Sequence, residues 1–304
     1  RVIAQGASER NISAVISESD VKKALNCLHE QFFEAQTKQV NLFIAGVGNV
    51  GKSLIDQINQ QQKYIKSTFK IKMKHDLDIL VPVFREEGNI TETLEKITKI
   101  LKINYRILVI YDYDEDPTVE VITKKFKNDR IICLKNKYKG FNGAVKTGFE
   151  NIQSQAILLY PADDHENFDL ISKMFDKYNE GYDVVCASRF IEGGSYKGAP
   201  LLKRLIVKLV SFTLSNFTTL QTKDATNGFR LFSKSIVEKF PIESKKGFTF
   251  SIELLAKAHR HNYRITELPE RWPVRKSGIS KFNYYTIPFY FKWYLYILIS
   301  HFRK

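Results

Sequence analysis

The chain has 304 residues, of which 43% are hydrophobic and 26% are charged, a balance that supports a buried core and excludes a disordered chain. Basic residues outnumber acidic ones by 47 to 33, and residues 257–304 hold ten Lys or Arg and two Glu. This excess predicts a C-terminal region that favours phosphates or anionic lipid. No nucleic-acid-binding motif accompanies the charge, so we expect no nucleic-acid partner.

The cysteines and the start of the chain indicate the cellular setting. Cys27, Cys133 and Cys186 are scattered without C-x-x-C or Cys/His spacing, which argues against a disulfide framework and against a zinc site. A reducing, cytoplasmic location is therefore expected. No secretory leader opens the chain, and its first residue is Arg1 rather than Met, so we interpret the start as a cut.

The first 72 residues predict a small α/β fragment. Alternating apolar residues over 2–16 and an apolar run over 40–45 indicate strands, and residues 19–33 have helical spacing. The second strand leads into the glycine loop 46–51, which opens a helix over 52–62. This is the context that a G-x-G-x-x-G dinucleotide-binding loop requires, because the glycines let the backbone approach a pyrophosphate.

The segments 5–13, 24–29 and 43–51 resemble the junction of a bifunctional aspartokinase/homoserine dehydrogenase. That resemblance implies the end of a regulatory ACT domain followed by the start of an NAD(P)-binding domain. It stops near Lys72, before the rest of a dinucleotide-binding fold. We therefore interpret residues 1–72 as a truncated fragment with a vestigial loop at Gly46, Gly48 and Gly51, fused to a second protein that begins at Met73. One continuous domain with an N-terminal extension is the alternative.

From Asp76 onward, short apolar strands alternate with helices. This alternation predicts an α/β fold with a mainly parallel sheet and helices on both faces. The predicted strands cover residues 77–84, 106–111, 130–134 and 156–160, and the predicted helices cover residues 91–101, 119–126 and 143–151.

Acidic clusters follow three of these strands. Their positions are Glu86 and Glu87, then Asp112, Asp114 and Asp116, then Asp163, Asp164, His165 and Glu166. Because ligands bind at the carboxyl ends of strands in such sheets, the clusters predict a binding site. Carboxylates suit Mg²⁺ or Mn²⁺, which in turn suits a diphosphate, and Asp112 and Asp116 could accept hydrogen bonds from a base and a ribose.

An ordered series of motifs over residues 76–304 resembles family 2 glycosyltransferases, and the dolichyl-phosphate mannosyltransferase branch in particular. The motifs are VPVFREEGNI (81–90), IYDYDEDPT (110–118), KGFNGA (139–144), PADD (161–164), ASRF (187–190), GG (193–194), DATNGFRLF (224–232), GF (247–248), Glu253, Pro269 and RKSGISKF (275–282). Single motifs of this kind are weak evidence, whereas their order and spacing together are strong evidence.

The resemblance implies a Rossmann-like GT-A fold that transfers a sugar, with inversion, from a GDP- or UDP-linked donor to a polyprenyl phosphate or a cell-surface glycan precursor. It implies a nucleotide-sugar-binding set: Pro82, Glu86, Asp112, Asp116, Lys139, Gly143 and Arg189. It implies a metal set for Mg²⁺ or Mn²⁺: Asp163, Asp164 and His165. It implies a catalytic set: Asp163, Asp164, Arg230, Arg275 and Lys281.

Some positions depart from the family pattern. Pro161 stands where an aspartate is usual and His165 where a glutamine is usual, so Asp163 would hold the metal with Asp164 or His165. Tyr111 and Tyr113 stand where an aspartate and a glycine are usual, which leaves guanine and uracil both open. Two other functions remain as alternatives: an amino-acid-pathway enzyme defined by the N-terminal fragment, and a non-catalytic nucleotide-binding protein.

The C-terminal region predicts contact with a membrane surface. Residues 284–300 are rich in aromatic residues, but their 17 positions fall short of the roughly 20 that span a bilayer. An interfacial helix or a helix packed on the core would both fit, and residues 203–219 form a second candidate. We expect three regions, residues 1–72, 73–283 and 284–304, in a protein on the inner face of the membrane.

Overall fold

A computed structural model describes residues 75–197, 200–272, 285 and 287–302. The chain divides into two units at Ile71, and all described residues belong to the second unit. The N-terminal fragment with Gly46, Gly48 and Gly51 lies outside the described residues, as do Arg275 and Lys281.

A seven-stranded sheet forms the centre of the described part, in the order β3-β2-β1-β4-β7-β5-β8. Neighbouring strands run parallel except at β7, which is antiparallel to both β4 and β5. This arrangement confirms the predicted α/β class with a mainly parallel sheet. The strands among the described residues are β1 (Leu77–Pro82), β2 (Tyr105–Tyr111), β3 (Ile131–Lys135), β4 (Ala156–Leu159), β5 (Val184–Ser188), β6 (Ser195–Tyr196), β7 (Arg230–Ser233), β8 (Ile265–Pro269) and β9 (Arg271–Trp272), of which β6 and β9 form a separate pair.

Helices connect most of the strands. The described helices are α1 (Ile90–Ile100), α2 (Pro117–Lys125), α3 (Gly140–Glu150), α4 (Phe168–Asn179), α5 (Leu201–Phe217), α6 (Lys234–Lys239), α7 (Phe250–Arg260) and α8 (Ile287–Phe302). Each strand and helix predicted from Asp76 to Tyr160 has a counterpart in the structure, shifted by a few residues at most. The predicted helices over 203–219 and 284–300 correspond to α5 and α8.

The central strands are apolar on both faces because helices cover both sides of the sheet. Leu80 of β1 contacts one layer of core residues and Val81 the other, and both are fully buried. One polar pair lies inside this core. Arg106 of β2 binds the carboxylate of Asp78 with two hydrogen bonds of 2.9 and 3.0 Å, which satisfies both buried charges at the amino-terminal edge of the sheet.

Helix α8 packs against α7 and α5. Trp293 and Ile297 are its buried side chains, and the indole nitrogen of Trp293 donates a 3.0 Å hydrogen bond to Ser244. Phe291, Leu295 and Ile299 are partly or largely exposed. The helix is therefore attached to the core on one side and presents apolar side chains on another. Within the described residues, no helix is both long enough and apolar enough to cross a membrane.

Candidate active site

The parallel strands β1, β2 and β4 are neighbours, so their carboxyl ends meet at one edge of the sheet. Pro82 ends β1 and pairs with Ile110, one residue before the end of β2, while Leu80 of β1 pairs with Leu159 at the end of β4. The loops that carry the three predicted acidic clusters leave from these ends. The sequence prediction that the clusters share one edge of the sheet is therefore met.

Asp112, in the second acidic cluster, is half-buried, and both of its carboxylate oxygens accept hydrogen bonds. Its Oδ1 accepts a 2.6 Å hydrogen bond from the side-chain amide of Asn136, and its Oδ2 accepts a 3.0 Å hydrogen bond from the backbone N–H of Gly140. The side chain of Asn136 is buried and also bonds the backbone of Tyr138. This network fixes the orientation of a half-buried carboxylate at the end of β2, as a binding site for ribose or base requires.

The sequence analysis missed Asn136, although it directly follows β3 in the same way that Asp112 follows β2.

Lys139 and Gly143, which follow in the same loop and in α3, have separate roles. Lys139 is exposed, has a φ of 58° and precedes α3, which places its charge at the rim of the loop. Gly143 is buried, and a Cβ atom there would lie 2.9 Å from the backbone of Tyr138. Gly143 therefore allows α3 to approach the loop closely, and no direct ligand contact is needed to explain it.

Asp116 has structural contacts in addition to its predicted role at the nucleotide, which stays a prediction. It is only 1% exposed and caps α2, since its Oδ1 accepts a 3.0 Å hydrogen bond from the N–H of Thr118. Its Oδ2 accepts a 3.1 Å hydrogen bond from the N–H of Arg85, which has a φ of 56°. Asp116 thus fixes the loop after β1 against the start of α2.

Glu86 lies in that fixed loop. Its N–H donates a 2.9 Å hydrogen bond to the hydroxyl of Thr118, and its Oε2 accepts a 2.9 Å hydrogen bond from the side chain of Asn89. Both Glu86 and Pro82 are half-buried. Glu86 therefore remains a candidate for contact with a ligand, and Pro82 shapes the end of β1.

The third cluster forms a tight turn after β4, and Asp164 stabilises it. Asp164 Oδ1 accepts hydrogen bonds from the N–H groups of Glu166 (2.9 Å) and Asn167 (3.0 Å), and the Asn167 side chain donates to its Oδ2 (2.8 Å). Burial raises the pKa of Asp164 and outweighs these hydrogen bonds. Because both oxygens serve the turn and the side chain is buried, the structure does not support Asp164 as a metal ligand or catalytic group.

His165 lies against the start of α1. Its Nε2 is 3.3 Å from the side-chain oxygen of Asn89, and its Nδ1 is 3.8 Å from a carboxylate oxygen of Glu92. Across the described stretches (75–197, 200–272, 285 and 287–302), no three His, Cys, Asp or Glu side chains come together as a metal site. The structure therefore does not assemble the predicted metal set of Asp163, Asp164 and His165.

Asp163 stays the candidate ligand for a divalent cation. It is half-buried beside a turn that Asp164 holds rigid, and a carboxylate oxygen is a ligand that Mg²⁺ and Mn²⁺ accept. Mg²⁺ commonly uses one or two protein carboxylates and takes its other ligands from water and substrate phosphates. A single protein carboxylate is thus compatible with a metal that arrives with a diphosphate.

Arg189 is buried in an ion pair rather than open to solvent. Its Nε and one terminal nitrogen donate hydrogen bonds of 2.6 and 2.7 Å to the two oxygens of Asp224. The rings of Tyr196 and Trp272 lie 4.2 and 5.1 Å from the guanidinium carbon. Burial opposes the charge, but the Asp224 carboxylate prevails and raises the pKa of Arg189. The structure thus places Arg189 in an internal pair with Asp224, and its predicted nucleotide contact stays a prediction.

Arg230 is also held by internal contacts. It is fully buried on β7, between β4 and β5, and donates hydrogen bonds of 2.6 and 2.9 Å to the carbonyl oxygens of Ser251 and Asp224. Arg230 therefore connects the start of α7 to the loop before β7. These contacts give it a structural role, and its assignment as a catalytic residue stays a prediction.

Comparison with known proteins identifies the family of the chain. The model described as "Glycosyl transferase family 2" matches residues 78–240, and an ACT domain model matches residues 1–32. A dolichol-phosphate mannosyltransferase of Pyrococcus furiosus is 26% identical over 215 residues, 69% of this chain and 60% of that protein. An uncharacterized glycosyltransferase of Synechocystis is 27% identical over 170 residues, 54% of this chain and 52% of that protein. The chain thus spans little more than half the length of these relatives.

Solved structures share the fold at low identity. Glucosyl-3-phosphoglycerate synthase from Mycobacterium tuberculosis in complex with UDP superposes with a TM-score of 0.53 at 10% identity, over 79% of this chain and 80% of that one. The same enzyme with Mn²⁺, UDP and glucosyl-3-phosphoglycerate gives a TM-score of 0.52 at 11% identity, over 86% and 85%. The GT-A fold expected from the sequence is confirmed. Because the family model covers more than half of the 304 residues, the chain belongs to glycosyl transferase family 2.

Proposed function

We propose that the protein transfers a sugar, with inversion, from a GDP- or UDP-linked donor to a polyprenyl phosphate at a membrane surface. The observation that carries this proposal is the Asp112 carboxylate, held at the end of β2 by Asn136 and Gly140. The loop that contains Asp163 leaves the same edge of the sheet from β4, with β1 between the two strands. One carboxylate is oriented for a nucleoside and the other suits a cation on a diphosphate. The similarity to a dolichol-phosphate mannosyltransferase supports the lipid-phosphate acceptor.

In this reaction the protein mainly positions the donor and the acceptor and balances the charge of the leaving diphosphate. A phosphate oxygen of the acceptor forms the new bond to the anomeric carbon, on the face opposite the breaking bond to the nucleoside diphosphate. The diphosphate leaves with the bonding electron pair, so no strong general base is needed. Asp112 and Glu86 orient the nucleoside, and Lys139 contributes positive charge at the rim. A divalent cation, held by Asp163, would supply charge to the leaving diphosphate.

The exposed face of α5 supports a membrane surface as the partner. Leu201, Leu205, Leu209 and Phe212 follow one another at helical spacing, and each is more than half exposed. The 17 residues of this helix include Lys203, Arg204 and Lys208 but no acidic residue. An apolar ridge flanked by positive charge is typical of a helix that lies in the interface of an anionic membrane. A glycan precursor linked to such a membrane is the second acceptor to test.

The test is a transfer assay with the full chain, radiolabelled GDP- and UDP-sugars, Mg²⁺ and a short-chain polyprenyl phosphate in mixed micelles. We expect label to move from one donor into the organic phase, in a product that mild acid releases. Product that stays in the aqueous phase would favour a glycan acceptor instead. Absence of transfer from either donor would contradict the proposal. If a nucleoside diphosphate still binds, that result would support the non-catalytic nucleotide-binding alternative, and if neither binds it would favour the N-terminal alternative.

A further inference from the structure

A buried carboxylic acid, Glu270, lies behind the candidate active site where three segments meet. Glu270 is only 1% exposed, and its Oε2 accepts a hydrogen bond from the side-chain amide of Asn227. Its backbone N–H donates a 2.9 Å hydrogen bond to the carbonyl of Ser188, and its carbonyl accepts a 2.8 Å hydrogen bond from the N–H of Ser195. None of the motifs considered above assigns a role to this side chain.

One path from Glu270 leads to the Arg189–Asp224 pair. The Asn227 amide that binds Glu270 also donates a 2.8 Å hydrogen bond to the carbonyl of Ala187, two residues before Arg189. Asn227 lies three residues after Asp224 in the same loop. Through Asn227, the Glu270 carboxyl group therefore holds the loop that contains Asp224 against the end of β5, which Arg189 directly follows.

A second path leads to the turn that carries Asp163. The backbone N–H of Arg271 donates a 3.0 Å hydrogen bond to the side-chain oxygen of Asn167, and the side-chain amide of Asn167 donates a 2.9 Å hydrogen bond to the carbonyl of Arg271. The same Asn167 side chain binds Asp164 at 2.8 Å. Since Arg271 directly follows Glu270, a displacement at Glu270 would be transmitted to the Asp163–Asp164 turn.

The charges around Glu270 decide which form of its carboxyl group the site tolerates. The titratable groups that act on it are Arg189, Asp224, Asp164, Tyr160 and Tyr196. Among the described residues that act on Glu270, Arg189 is the one cation, and its charge is already matched by Asp224. An ionised Glu270 would therefore add a further negative charge beside a guanidinium that is already paired. In agreement with this arrangement, burial raises the pKa of Glu270 to about 8.

We infer that Glu270 is a positioning residue for the donor site, which in its neutral form holds the Arg189–Asp224 pair and the Asp163–Asp164 turn in register. This inference rests on the proposed function, since the site it positions is the one assigned to the nucleotide donor. Loss of the Glu270 proton places an unbalanced negative charge between the Arg189–Asp224 pair and the Asp163–Asp164 turn. That charge weakens the contacts that hold the pair and the turn in place. Donor affinity then falls as pH rises.

The test measures the affinity for GDP and UDP by calorimetry in Mg²⁺ at pH 7.0 and 9.0, in the wild type and in Glu270→Gln. Glutamine keeps the hydrogen-bond acceptor for Asn227 and cannot ionise. If binding requires the neutral form, we expect the wild type to lose affinity on the order of tenfold between the two pH values. The Gln variant should bind equally well at both, and Glu270→Ala should bind weakly at both.

A matched control separates this effect from the general consequences of pH. Glu238→Gln makes the same chemical change on a largely exposed side chain of α6 and should keep the tenfold loss of the wild type. An equal pH dependence in wild type and Glu270→Gln would overturn the inference and leave the proposed function intact. Absence of nucleotide binding by the wild type at pH 7.0 would instead contradict the proposed function, and with it the inference.

Discussion

Asp112 and Asn136 are 24 residues apart in sequence, yet their side chains meet at 2.6 Å because β2 and β3 are parallel neighbours. Each residue directly follows its strand, so the sheet alone brings them to the same edge. The amide of Asn136 orients the carboxylate of Asp112 and also bonds the carbonyl of Gly140 at 3.0 Å. The predicted nucleotide site therefore contains a rigidly held hydrogen-bond acceptor, the Asp112 carboxylate. Its contribution to nucleotide affinity can be measured by substitution.

Replacement of Asp112 by Asn should weaken the binding of a nucleoside diphosphate by tenfold or more. A hydrogen bond to a charged acceptor contributes about 1.5–3 kcal/mol, and the variant loses that charge while it keeps the shape of the side chain. Calorimetric titration with GDP and UDP measures the effect. Asp114→Asn is the control, because Asp114 is exposed, lies two residues away and pairs with Lys135. Equal affinities in both variants would remove Asp112 from the nucleotide site.

Replacement of Asp163 by Ala should abolish the part of donor binding that depends on Mg²⁺ or Mn²⁺ and leave the fold intact. Asp163 is the one member of the predicted metal set whose surroundings in the described structure suit a cation. The measurement compares nucleoside diphosphate affinity with and without metal in the wild type and the variant. Asp169→Ala, an exposed residue paired with Lys173 on α4, is the control. Unchanged metal dependence in Asp163→Ala would contradict the assignment.

The sequence predicted the sheet and the place of the site because both depend on local pattern: apolar strands alternate with helices, and acidic residues follow strand ends. It did not separate ligand-binding carboxylates from structural ones. Asp112 and Asp116 lie in the same motif, but only the structure reveals that Asp116 also accepts a hydrogen bond from the N–H of Arg85, 31 residues earlier. Likewise, Arg230 has a motif position that suggested a phosphate, whereas antiparallel pairing of β7 places it inside the protein. Such roles depend on long-range packing, which periodicity does not encode.

Replacement of Arg230 by Met should lower the free energy of unfolding by roughly 2–4 kcal/mol, since it leaves two buried carbonyl groups without donors. In the folded variant, nucleotide affinity should stay within about twofold of the wild type, because the guanidinium is fully buried and bonds backbone carbonyls. Urea denaturation and calorimetric titration measure the two quantities. A stable variant that has lost nucleotide affinity would restore the phosphate-binding role to Arg230.

The stability of the protein should depend on pH through Glu270. In the unfolded chain this carboxyl group loses its proton near pH 4.5, whereas burial raises its pKa to about 8 in the folded state. Between these values the folded state holds the extra proton, so the contribution of Glu270 to the free energy of unfolding falls as pH rises. Glu270→Gln has no proton to lose, and its stability relative to the wild type should therefore increase from pH 5 to pH 8. Urea denaturation at both pH values tests this, and a constant difference would contradict it.

The apolar ridge of α5 should determine whether the protein binds membranes. Leu205 and Leu209 are 56% and 64% exposed, so their replacement by Gln removes apolar contact with lipid and leaves the core unchanged. We expect Leu205→Gln/Leu209→Gln to sediment with anionic vesicles several-fold less than the wild type, since burial of each leucine contributes about 1.5–3 kcal/mol. Ile100→Gln is the matched control, because Ile100 is a 44% exposed apolar residue on α1, outside the ridge. Equal sedimentation of all three proteins would show that the ridge contacts something other than lipid. A parallel loss of polyprenyl-phosphate glycosylation, with nucleotide affinity retained, would link the ridge to the acceptor rather than to the donor.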